Sequence, residues 1–66
     1  MAIELGDTVT TTVHMIGGRS AEVSGPVVDR NESRKTPGRV VSYVVDATES
    51  GYGKLVVPVA DARPTP

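Results

Sequence analysis

Sixty-six residues with a formal charge of −1 make one small domain, which buries only about 60% of the surface its unfolded chain exposes. The chain holds no cysteine, phenylalanine or tryptophan, so it has no disulfide framework or Cys-based zinc site, and few large side chains to fill a core. Its charge argues against a protein that coats nucleic acid or a polybasic membrane protein, and no apolar run approaches the roughly 18 residues of a membrane span.

The first predicted element covers residues 3–16. Ile3, Leu5, Val9, Val13 and Met15 fall on one face, and Glu4, Thr8, Thr10, Thr12 and His14 on the other. A period of two marks a half-buried β-strand. Gly17-Gly18-Arg19-Ser20 reads as a turn. The second strand, Ala21 to Arg30, sets Ala21, Val23 and Val27 against Glu22 and Ser24, and Gly25-Pro26 interrupts it as a bulge, a bend or an edge. Residues 31–38 contain no apolar side chain and are expected to form a mobile loop ending in a turn.

The third strand, Arg39 to Ala47, puts Val41, Tyr43 and Val45 on one face. Val40 and Val44 share the other with Ser42 and Asp46. Apolar residues on both faces predict a central strand covered on each side, or a second face engaged elsewhere. Thr48 to Gly53 is a loop. Lys54 to Ala60 forms the fourth strand, with Leu55, Val57 and Val59 inward and Pro58 at a non-pairing position. Asp61-Ala62-Arg63 suits a single 3₁₀ turn, followed by a short fifth strand or a Pro-rich tail at residues 64–66. No helix of useful length is predicted.

Four to five short antiparallel strands with a turn about every ten residues suit an all-β small barrel filling residues 1–63. The layout resembles the SH3-like barrels, particularly the Tudor and KOW types, and among them the bacterial hypervirulence-associated TUDOR-like domain. The likeness is carried by Gly6-Asp7-x-Val9, Ala21-x-Val23, Val41-x-Tyr43-x-Val45-Asp46, Lys54-Leu55-Val56-Val57-Pro58 and Asp61-Ala62-Arg63-Pro64. The peptide groove of SH3 domains and the methyl-lysine cage of Tudor domains each need several aromatics. Tyr43 and Tyr52 are the only rings here, so the resemblance implies neither activity.

No residues gather for catalysis or for holding a metal or cofactor. His14 is the only histidine and sits among threonines, without the orienting partner a general base uses or the further ligands a metal needs. The carboxylates are scattered and lack cation-binding spacing. Gly51-Tyr52-Gly53-Lys54 runs into a strand, whereas a phosphate-binding loop opens a helix. Asn31-Glu32-Ser33 matches a glycosylation sequon, which matters only in a secreted protein. The N-terminus shows no basic segment followed by a hydrophobic stretch, so a cytoplasmic location is expected.

Binding is the expected role. Arg30, Arg34, Lys35 and Arg39 concentrate most of the basic charge of the chain in ten positions, a patch able to meet phosphate or an acidic protein surface. Tyr52 lies between two glycines, where an exposed ring would suit an interface and a folded-back ring would lid the core. The sequence therefore points to a non-enzymatic interaction module, fitting a bacterial or phage accessory protein. Its expected partner is another protein or its own copies, through Arg30, Arg34, Lys35, Arg39 and Tyr52. The alternative is a nucleic-acid-binding barrel using loop 30–39, against which stand the net charge and the lack of a stacking platform of aromatics.

Overall fold

In the computed structural model, which describes residues 3–65, the strands are β1 (Thr8–His14), β2 (Ser20–Glu32), β3 (Val40–Ala47), β4 (Gly53–Pro58) and β5 (Arg63–Pro64). They pair antiparallel in one five-stranded sheet of order β4-β3-β2-β1-β5. The helical pieces among the described residues are single 3₁₀ turns at Thr48–Ser50 and Val59–Asp61. The all-β expectation holds.

β2 organises the rest. It runs unbroken for 13 residues, its first half paired with β1 as far as Pro26 and its second half with β3 from Val27 onward. Gly25-Pro26 therefore bends a continuous strand where it changes partner and does not interrupt it. The bend requires glycine, because a Cβ at Gly25 would lie 2.2 Å from the Asp46 carbonyl oxygen. Glycine in a strand commonly marks such an approach of two backbones. Just beyond the bend, Val27 turns its peptide groups toward the N-terminal turn, with Gly6 N–H donating to its carbonyl and its own N–H donating to Asp7.

The core is valine packed around one ring. Val9, Val27, Tyr43, Val45 and Val57 form a single buried cluster, with Ile3, Val40, Leu55 and Ala62 packed against it. Both parts of the sheet thus contribute to one interior. Alternation placed Val9, Val23, Val27, Tyr43, Val45 and Val57 correctly, and all six are buried.

The departures have local causes. β1 starts at Thr8 because residues 4–7 close a turn, with Asp7 N–H donating to the Glu4 carbonyl and Glu4 N–H to the Asp7 carboxylate. Leu5, expected inward, is consequently exposed, and Met15 is exposed because β1 ends one residue before it, at His14. The pairing of β2 with β3 shifts register at Val28 and again at Val41, and each extra residue is a β-bulge that breaks alternation. Val41 is therefore exposed, and Val40 packs on the core in its place. β4 ends at Pro58, so Val59 falls in the second 3₁₀ turn and is exposed as well. That turn lies two residues earlier than expected, which frees Arg63–Pro64 to pair with β1 as β5. Thr65 then donates its N–H to the Thr8 carbonyl, so the expected tail at 64–66 is attached to β1 through Thr65, and Pro66 lies outside the described residues.

Two glycine substitutions separate close approach from backbone strain. Gly51 has φ 85° with open space where a Cβ would stand, so Gly51→Ala should cost about 1–2 kcal/mol, the left-handed penalty alone. Gly25→Ala should cost about 3 kcal/mol, an overpacking cost that the backbone cannot relieve. Urea melts of the two variants should show the larger loss at Gly25.

Candidate interaction surface

The basic residues surround the connection between β2 and β3. Arg30 lies in β2 across from Tyr43, Arg34 and Lys35 lie in the loop, and Arg39 precedes β3. All four are exposed. The loop is shorter than residues 31–38, since Asn31 and Glu32 extend β2. It is also internally bonded. The Ser33 hydroxyl accepts from the N–H groups of Lys35 and Thr36, Ser33 N–H donates to the Arg39 carbonyl, and Arg39 N–H donates to Thr36. Among the described residues the ion pair is Arg63–Glu22, at 3.0 Å, and the four basic residues take no part in it.

Tyr52 lies in the connection between β3 and β4, behind Gly51, and its N–H donates to the Ala47 carbonyl. It is 37% exposed and stands outside the buried cluster, whereas Tyr43 is 7% exposed within it. The basic loop adjoins one end of the eight-residue β3 and Tyr52 the other, roughly 25 Å apart along the strand. The residues singled out for binding therefore form two separate places, not one site.

The two parts of the sheet present different outer faces. On β5, β1 and β2 the face is polar and internally paired. The Thr10 hydroxyl bonds those of Ser24 and Thr65, and the Arg63 guanidinium donates to Thr12 and Glu22. An open depression of about 330 Å³ adjoins it, lined by Thr12, His14, Ala60, Asp61 and Arg63. On β2, β3 and β4 the register sets Val44 between Asp29 and Val56, with Asn31, Ser42 and Pro58 toward one end and Asp46 and Lys54 toward the other. Val56 is 67% exposed, and Val28 in the adjoining bulge is exposed too.

This apolar strip was not singled out from the sequence as a binding feature. The available signal was the pair of apolar faces on β3. What sequence alone lacked was the register that lines Val56 up with Val44.

Asp46 supplies the clearest electrostatic feature of the strip. Its carboxylate accepts from the Thr48 hydroxyl and the Thr48 N–H, and with Lys54 nearby these bonds hold its pKa below the ordinary aspartate value. The contact ties the end of β3 to the 3₁₀ turn that carries the chain toward Tyr52.

Compared with known proteins, the chain matches no family model, no curated protein and no solved structure.

Truncating the two tyrosines should give different results. Tyr52→Ala should cost about 1–2 kcal/mol of folding stability, because the ring is largely covered though outside the buried cluster, and weaken partner binding by about 1–3 kcal/mol. Tyr43→Ala should cost about 3–5 kcal/mol of folding stability. Denaturant melts run beside a binding measurement read both. Asp46 gives an acid signature. A carboxyl whose folded pKa is depressed adds stability that is complete above its unfolded pKa and is lost as pH falls through the folded one. Between about pH 5 and about pH 2, Asp46→Asn should therefore lose less thermal stability than the parent chain.

Proposed function

We propose that this chain is a non-enzymatic interaction module: a small SH3-like barrel of the Tudor or KOW type, acting in the cytoplasm by binding another protein or its own copies. The observation that carries the reading is the apolar strip of Val28, Val44 and Val56 on the outer face. A domain with so few large apolar side chains leaves Val28 and Val56 exposed on either side of the half-buried Val44, beside a second outer face that is polar and satisfied. Exposed apolar groups clustered in this way are characteristic of interaction sites. The barrel proposed is a partly open one, in which the two halves of the sheet curl over one interior while β4 stays at an end of the strand order. It is supported by the bend of β2, by the approach of the Asp46 backbone to Gly25, and by the single cluster that joins Val9 of β1 to Val57 of β4.

Arg30, Arg34, Lys35 and Arg39 favour a second reading, a nucleic-acid-binding barrel, because their charges are exposed and unpaired with any carboxylate among the described residues. No helix among the described residues is long and apolar enough to cross a membrane.

Salt separates the two readings. Binding through phosphate contacts should weaken linearly on a log–log plot, by about 0.7–0.9 of slope for each phosphate neutralised. Replacing Arg34 and Lys35 together by alanine should then lower the slope by roughly two. The protein-binding reading predicts no retention of mixed RNA and DNA at low salt. It also predicts a protein captured from the native host that Tyr52→Ala or the Arg34/Lys35 double variant releases. Nucleic-acid binding with the full salt slope would replace it by the second reading.

A further inference from the structure

We propose that β4 is a pairing edge for a second copy of this chain, the two copies lying antiparallel about a twofold axis at Val56. The proposal rests on the reading of the chain as an interaction module and names the surface and the partner.

The ladder fixes which backbone groups are free. In an antiparallel pair, opposed residues either bond each other or both turn away. Val27 gives its N–H to Asp7 and its carbonyl to Gly6, so its partner Val45 turns away from β2 and toward β4. Leu55, across from Val45, faces back to β3. By alternation Lys54, Val56 and Pro58 turn their peptide groups outward, away from the sheet. Pro58 fits this position, since proline in a sheet keeps its donorless nitrogen on the open side. β4 ends the strand order, so nothing in the sheet answers the N–H groups of Lys54 and Val56. The strand is short and carries Lys54 and Pro58, features that blunt a sheet edge, but the free N–H groups of Lys54 and Val56 still form a template for another strand.

The side chains choose the partner and the register. Centring the axis on Lys54 would oppose two ammonium groups, and centring it on Pro58 would oppose two residues that cannot donate. Centring it on Leu55 would set the Lys54 ammonium against the exposed Val56. Centring it on Val56 avoids all three. Val56 then bonds the partner's Val56 in both directions, Lys54 N–H donates to the carbonyl of the partner's Pro58, and Leu55 lies across from the partner's Val57. Cross-strand apolar pairs of this kind stabilise a sheet. The outer strips of both copies join into one row through Val56, burying the most exposed valine of the chain. A six-residue edge covers less than the roughly 1,200 Å² of a standard stable interface, so the dimer is weak and depends on concentration.

Sedimentation velocity from about 10 μM to about 1 mM should show a monomer giving way to dimer. Over that range the amides of Val56 and Lys54 should gain exchange protection. Val56→Lys places two charges at the axis and should raise the dissociation constant at least about tenfold. Its melting curve should stay that of the parent, because the side chain is mostly exposed. Val28→Lys, off the edge, should dimerise more like the parent than Val56→Lys does. A chain that stays monomeric at 1 mM would overturn the edge, leaving the module reading to its own test with a heterologous partner. A dimer that Val56→Lys leaves intact would also overturn it, while keeping self-association through another surface.

Discussion

The close passage of the Asp46 carbonyl over Gly25 is the constraint on which the rest of the structure depends. It lets β2 bend without ending, so that one strand serves β1 with its first half and β3 with its second. Without that bend, Val9 on β1 and Val57 on β4 could not reach the same cluster. A chain this short and this poor in aromatics cannot support two interiors. One shared core, built from valines around Tyr43, is what these residues permit.

The same bend divides the labour of the surface. Where β5 and β1 cover the first half of β2, hydroxyls and the Arg63–Glu22 pair satisfy one another across the strands. Where β3 and β4 cover the second half, the outer face carries Val44 and Val56 between polar ends. The basic loop and Tyr52 then stand at opposite ends of β3.

Much of this was legible in the sequence. Period-two alternation found the inward valines and Tyr43, and glycine and proline found the turns. One error, at Val41, falls where a residue is inserted into the ladder, and the others, at Leu5, Met15 and Val59, fall where a strand is shorter than its alternation suggests. Val41 reads as inward on strict alternation, and only the bulge in register with Glu32 turns it out. Gly25-Pro26 was visible as a special position, but whether it broke the strand or bent it depends on Asp46, a residue far along the chain. The apolar strip was hidden for the same reason. Val44 and Val56 become neighbours only through pairing, and pairing is a tertiary fact. Tyr52 could not be assigned to surface or core from its glycine neighbours, because those leave its backbone free to take either course.

The most direct test of the account is the set of proton–proton contacts of Gly25 in solution by NMR. The account predicts that its α-protons lie close to Val9 across the β1 pairing and also to the backbone of Asp46 at the end of β3. Contacts to Val9 with none to Asp46 would mean that β2 does not bend over the core and would contradict the shared interior.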